Sequence, residues 1–373
     1  MVGRRFTAPN RAFVVFLPQL AYLLRADTPP RRRPPEAVFH GGHPSQERAE
    51  RDLSIPPING RGSLMSPRSA LRRAGAALLL TLLAAQPLAA DNGLLEKRES
   101  LYNNIFIFGD DKTVTMTFGQ NKRYYTESSM KLSDPGALSV EYTRYMTVGI
   151  AYPPKVERIL EIGLGGGRTV SYLSAAMPDT GILAVELDKD VVALAKKYFK
   201  FQETARLRTV VADGRAFLMR DDERWDVILI DAYRGPFVPF HLLTKEFYTL
   251  VKSRLTPGGV VVQNIEPSTM LFDSATATLK SVFPSVDLYD GGGNVVAVGY
   301  DGPSLRQADL LQRAAKAQQR YRTRYDLRAM VEERRVFGRP TGKVMTDDFA
   351  PVETLRAIEQ NNEKWKEQTE APR

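Results

Sequence analysis

The sequence predicts an α/β protein built on a doubly wound, largely parallel sheet. Three observations carry that prediction. Four apolar runs each close on or beside an acid: Ile159 to Ile162 around Glu161, Ala184 to Glu186, Val210 to Asp213, and Trp225 to Asp231. Helical stretches separate them, the alternation that covers a parallel sheet on both faces. The first run enters a glycine-rich turn, Gly163-Leu164-Gly165-Gly166-Gly167, with a helix expected over 169–177. Ligands in such sheets bind beyond the carboxyl ends of the strands.

The elements follow in order along 373 residues. Residues 1–64 form an extension in which 25–64 is rich in Pro, Arg, Gly and Ser without an apolar period, and is expected to be disordered. Residues 13–24 are apolar but too short to span a bilayer. Residues 65–90 read differently. Arg68, Arg72 and Arg73 precede an apolar stretch from Ala74 to Ala85, and Leu88-Ala89-Ala90 ends it before Asp91. That is the order of a secretory signal peptide. It makes Met65 the expected start, 1–64 an over-read extension, and the protein exported, periplasmic. A buried apolar helix is the alternative, leaving the protein cytoplasmic or membrane-anchored.

Residues 91–154 are expected to hold a small β-region. Ile105 and Ile107, then Val114, Met116 and Phe118, alternate as antiparallel strands do, with Gly109-Asp110-Asp111 turning between them. Residues 155–300 form the sheet domain. Its last two strands, Val286–Tyr289 and Val295–Val298, are antiparallel around Gly291–Asn294. Residues 301–373 form a helical segment, with charged helix over 303–335 and an amphipathic helix over 350–368 behind Asp347-Asp348.

Composition narrows the chemistry. The net charge is +9, but residues 1–64 carry +5 of it, 65–90 carry +3, and the remaining 283 residues only +1. The folded body therefore has no phosphate-binding excess, and nucleic acid is not an expected partner. No cysteine is present, which removes disulfides, thiolate nucleophiles and zinc–thiolate sites. Of three histidines only His241 lies in the body, where Phe240 and Leu242 suggest a packed or surface side chain, so no metal is expected.

Two nucleotide classes suit the glycine turn. A dinucleotide site wants Gly-x-Gly-x-x-Gly, and its last place holds Arg168. An S-adenosyl site wants acid-x-Gly-x-Gly-x-Gly, which Glu161, Gly163, Gly165 and Gly167 supply in full. The S-adenosyl reading is the better match, and the fold is expected to be Rossmann-like, of the S-adenosylmethionine-dependent transferase type. Glu186 stands where a ribose diol is held. Asp213-Gly214 suits an acceptor for the adenine amino group. A sulfonium is already an activated electrophile, so the protein needs only to align a nucleophile and take its proton. Asp231 sits at the mouth of the fourth strand for that role, with Tyr233 beside it. Asp231 could instead cap the next turn.

The runs Glu186-Leu187-Asp188, Ala195 to Phe199, Asp213 to Leu218, Trp225 to Asp231, Leu243 to Tyr248 and Leu255 to Gly259 resemble the spermidine synthases (polyamine aminopropyltransferases). Tyr102-Asn103-Asn104-Ile105 is similar to that family's N-terminal strands. The resemblance covers roughly residues 100–300. The late Asp347 to Pro351 is similar to the branch often fused to membrane domains. It implies decarboxylated S-adenosylmethionine as donor, or S-adenosylmethionine if the chemistry is methyl transfer, a small-molecule amine acceptor, and a homodimer. It also implies that Glu186 binds ribose, Asp213 adenine, and that Asp231 is the first acid of the catalytic loop.

Three places depart from that pattern. Gly166 stands where the family keeps an Asp on the donor amine. Tyr142-Thr143-Arg144 replaces Tyr-His-Glu, and Arg234 replaces the second loop Asp. With Tyr142, Arg144 and Arg234 at the acceptor, charge predicts that diamines are repelled and an anionic or neutral acceptor is preferred. Asp347 or Asp348 could replace a lost acid or cap the last helix. The rival functions are a small-molecule methyltransferase and a non-catalytic, exported nucleotide- or polyamine-binding protein.

Overall fold

The computed structural model describes residues 93–348, apart from 121–122, 236, 268–270 and 337–340. The expected extension over 1–64, the signal peptide over 65–90 and the helix over 350–368 lie outside the described residues. Among the described residues no helix is long and apolar enough to cross a membrane.

Two sheets organise the described chain. The first contains β1 (Leu94–Glu99), β2 (Asn104–Gly109), β3 (Thr113–Gln120) and β4 (Arg123–Lys131), antiparallel and in that order. Side chains alternate across a strand. Ile105, Ile107, Val114, Met116, Phe118 and Met130 therefore share one buried face. They pack with Val191, Leu194 and Phe199, beyond the sheet itself. Asp110 closes the β2–β3 turn by accepting from the Lys112 and Thr113 amides at 2.8 and 2.6 Å.

The second sheet has eight strands: β5 (Arg158–Ile162), β6 (Gly181–Glu186), β7 (Leu207–Val211), β8 (Trp225–Ile230), β9 (Leu255–Ile265), β10 (Ser285–Asp290), β11 (Val295–Tyr300) and β12 (Arg335–Val336). Its order is β12-β10-β11-β9-β8-β5-β6-β7. From β9 to β7 the pairings are parallel, and β9, β11, β10 and β12 pair antiparallel. The chain winds from β5 through β6 to β7, then returns to β8 on the other side of β5. That reversal opens a crevice at the carboxyl ends of β5 and β8, the place for a ligand in this architecture.

Helices cover both faces: α1 (Glu141–Met146), α2 (Arg168–Ala176), α3 (Lys189–Tyr198), α4 (Gly214–Arg220), α5 (Lys245–Ser253), α6 (Phe272–Val282), α7 (Gln307–Arg320) and α8 (Leu327–Glu332). Asp188, Asp213, Thr244 and Asp326 cap α3, α4, α5 and α8 with their side chains, satisfying amides that the first turn leaves open. The stretch before β5, read from sequence as part of the β-region, packs with the larger sheet. Leu138, Tyr145, Met146, Val148, Ile150 and Tyr152 join the core formed by Ile159, Ala184, Leu229 and Val262.

The C-terminal segment adds an edge strand that the sequence reading missed. β12 is held by a buried polar cluster one residue before it. Arg334 donates to Asp287 Oδ2 at 3.3 Å, where the Tyr152 and Tyr300 hydroxyls also donate at 2.9 and 3.1 Å. Arg334 and Asp287 have side chains only 5% and 0% exposed, so neither charge has water as an alternative partner.

Candidate active site

A cavity of about 400 Å³ lies at the crevice, within the size range of small-molecule sites. The carboxyl ends of β5, β6 and β8 form its floor with Ile162, Gly163, Gly165, Glu186 and Asp231. Ala212, Asp213 and Gly214 close one side, and Tyr142 and Thr143 of α1 another. Glu127 and Ser128 of β4 reach over from the first sheet. The loop after β8 supplies Tyr233, Arg234, Phe240 and His241.

The glycine turn is fitted to its neighbours. Gly163 has φ +94, and a Cβ there would meet the Asp231 carbonyl, so only glycine lets β5 end against the start of the β8 loop. The Gly166 amide donates to Ser128 Oγ at 2.7 Å, which joins the turn to β4. Gly167 is not on the cavity wall. It is the N-cap of α2, with Phe201 where a Cβ would point.

Glu186 is 9% exposed and holds the turn from the β6 side. Its Oε2 accepts the Leu164 amide at 2.8 Å and its Oε1 the Asp188 amide at 2.9 Å. Burial raises its pKa, opposed by those two amides. The Gly165 amide is a third donor to this carboxylate, which leaves one of its four lone-pair sites for a ligand hydroxyl. Asp213 caps α4 through the Ala216 amide at 2.8 Å. Its Oδ2 lies 2.8 Å from His241 Nε2. Burial pulls the Asp213 pKa upward, but the Ala216 amide and His241 outweigh it and leave the pKa lowered. His241 is thus part of the cavity wall, a placement its apolar sequence neighbours concealed.

Asp231 accepts from the Asn264 side-chain amide at 2.8 Å and from the Tyr142 hydroxyl at 3.1 Å. Burial raises its pKa against those two bonds. Burial also pushes the Tyr142 and Tyr233 hydroxyls well above their ordinary range, with Asp231 the next cause in both, so both remain neutral donors. Glu127, which sequence reasoning missed, accepts no hydrogen bond and pairs with no cation among the described residues. Its pKa is raised well above 4.5, by burial first and then by the charges of Asp231 and Glu186.

Like Gly167, two further residues expected at the site are not on the cavity wall. Glu161 does not reach the cavity. It is 2% exposed and aligned with Ala184 and Leu229, so it faces the core beneath the sheet, and its Oε2 has no hydrogen-bond partner. Arg144 does not reach it either. Its Nε donates to the Leu138 carbonyl at 2.9 Å and its guanidinium lies 5.3 Å from the Tyr325 ring centroid. Residues two apart on a helix lie on different faces, and Tyr142 takes the inward one. Arg234 does line the cavity. Asp347 instead makes a two-bond ion pair with Arg215, one bond at 2.7 Å, and is not on the cavity wall.

Comparison with known proteins agrees with this geometry. Residues 141–290 match the spermine/spermidine synthase domain. A polyamine aminopropyltransferase of Vibrio vulnificus is 30% identical over 300 residues, 75% of this chain and 97% of that protein. The chain belongs to the spermine/spermidine synthase family. A solved spermidine synthase, in complex with the transition-state analogue AdoDATO, has the same fold at TM-score 0.53 and 21% identity, over 65% of this chain and 84% of that one. An eEF1A lysine and N-terminal methyltransferase of Bos taurus is 32% identical over 170 residues, but these are 40% of this chain and 24% of that protein.

Proposed function

We propose that this member of a transferase family moves an aminopropyl group from decarboxylated S-adenosylmethionine to a small amine. The observation that carries this reading is the pair Glu127 and Asp231. Of the four acids that line the cavity, no basic side chain among the described residues pairs with these two. A buried carboxylate without a counter-charge is costly, and an ammonium ligand supplies the charge. Glu127 comes from β4, and so restores an acid that the substitutions at 144 and 234 remove from the family pattern. The methyltransferase reading rests on relatives that match a shorter part of this chain.

In this reading the glycine turn and Glu186 hold the ribose. Asp213 and His241 face the adenine, and the sulfonium lies near Asp231. An acceptor ammonium gives its proton to Asp231, which Tyr142 and Asn264 hold in place. The free amine nitrogen then attacks the donor methylene bonded to sulfur. The new C–N bond forms as the C–S bond breaks, and the electron pair stays on sulfur as the neutral thioether 5′-methylthioadenosine. The positive charge passes from sulfur to the alkylated nitrogen, which stays a secondary ammonium, so the one proton released is the one that Asp231 took. The protein contributes alignment and proton removal, each a recognised source of rate.

The test is release of 5′-methylthioadenosine from the decarboxylated donor by the full chain with a panel of amines. Asp231→Asn keeps the bond to Tyr142 but removes the base. It is expected to lower kcat by about 10²–10⁴-fold. Methyl transfer from S-adenosylmethionine, with no thioether release from the decarboxylated donor, would replace this reading. Export from Met65 with cleavage near Ala90 is part of the same proposal, supported by the order of basic, apolar and small residues over 65–90.

A further inference from the structure

The loop after β8 carries a second signal. Arg234 is exposed yet on the cavity wall. Its guanidinium makes no ion pair, hydrogen bond or ring contact among the described residues. The backbone beneath it is fixed. The Arg234 amide donates to the Phe237 carbonyl at 2.8 Å, and the Phe237 amide returns a bond to the Arg234 carbonyl at 3.4 Å. Gly235, at φ +61, makes the turn between them. The loop thus pinches into a small β-bridge that sets Arg234 at the cavity, where the other lining arginine, Arg168, is already taken up by the Phe199 and Pro135 carbonyls. Asp231, three residues earlier, is buried deeper and engaged by Tyr142 and Asn264.

The cavity therefore has two charge zones. Its inner part holds Asp231 and Glu127, and its loop side presents Arg234. A diamine suits the first zone but brings its far ammonium toward the second. A plain monoamine satisfies only the acids. A molecule with an amine at one end and a carboxylate at the other satisfies both. Arginine's planar fork is suited to a carboxylate.

We propose that the acceptor is an aminocarboxylate, with its amine at Asp231 and Glu127 and its carboxylate on Arg234. This rests on the aminopropyl-transfer reading and names its substrate class. The amine is the nucleophile. Its nitrogen bonds to the donor methylene, the C–S bond gives its electron pair to sulfur, and the released proton goes to Asp231. The carboxylate takes no part in bond making. Because Arg234 is open to water, its selectivity is moderate, about tenfold rather than thousands.

The experiment uses the full chain, the decarboxylated donor and three acceptors of matched length: 4-aminobutyrate, n-butylamine and 1,4-diaminobutane. The readout is kcat/KM for 5′-methylthioadenosine release. The expected order places 4-aminobutyrate first and 1,4-diaminobutane last. Arg234→Asp is expected to reverse the preference between those two, and Arg234→Lys to keep it in weakened form. A preference for 1,4-diaminobutane that Arg234→Asp leaves unchanged overturns the aminocarboxylate acceptor while sparing aminopropyl transfer. No thioether with any of the three, in a protein that binds 5′-methylthioadenosine by calorimetry, overturns aminopropyl transfer itself and the acceptor class with it.

Discussion

Replacing Glu127 with Gln is expected to make the protein more stable and less active. Glu127 is a half-buried acid with no partner among the described residues, and its pKa is raised well above 4.5 by desolvation first, then by Asp231 and Glu186. Between 4.5 and the raised value the folded state holds a proton that the unfolded state has lost. Stability therefore falls as pH rises through that window. The loss amounts to about 1.4 kcal/mol for each unit by which the pKa is raised. Glutamine carries no such slope, so the advantage of the variant starts near pH 4.5, grows with pH, and levels off above the raised pKa. Activity moves the other way. A hydrogen bond to a charged group contributes about 1.5–3 kcal/mol, so losing the acid that faces the amine raises acceptor KM about ten- to a hundredfold. Urea unfolding at pH 5 and pH 7.5, beside thioether release at pH 7.5, measures both. A variant less stable than the parent at pH 7.5, or one with unchanged KM, would refute the reasoning.

Three further outcomes follow from the geometry. Restoring the family's acid with Gly166→Asp is expected to destabilise by about 1–3 kcal/mol, because a Cβ there lies 2.7 Å from Phe199 Cδ1 and 2.9 Å from Ser128 Cβ; thermal unfolding reads it. Arg334→Ala leaves Asp287 buried without its cation and is expected to cost about 3–5 kcal/mol, measured by urea titration, with methylthioadenosine affinity retained in the folded fraction. N-terminal sequencing of the protein from its native host is expected to begin near Asp91, and a mature chain starting at Met1 would refute the signal-peptide assignment.

The parallel strands were legible because buried strands are continuous apolar runs, and three of them, β6, β7 and β8, led into an acid at the crevice: Glu186, Asp213 and Asp231. The Ser128–Gly166 bond was not legible, since it joins a strand of one sheet to the turn beyond a strand of the other, 38 residues apart. Glu127 was missed for a related reason. In Tyr124-Tyr125-Thr126-Glu127-Ser128 nothing distinguishes an acid that faces a cavity from one that faces water. Arg144 was misplaced because the resemblance was read along the sequence without helix geometry. Once 141–146 is a helix, Tyr142 and Arg144 diverge. The two-residue strand β12 carries too few side chains to have a period at all.

The bond from Ser128 Oγ to the Gly166 amide has a consequence for how the molecule opens. The four-stranded sheet has its own hydrogen-bond ladder, but its buried face is completed by Val191, Leu194 and Phe199, so its detachment as a cooperative unit would expose that shared core. Detachment removes Glu127 and Ser128 from the cavity while leaving the ribose-side residues in place. A nucleoside bound against both sheets must therefore suppress that partial opening. Amide exchange in β2, β3 and β4 should slow on adding methylthioadenosine, even where the strands never touch it.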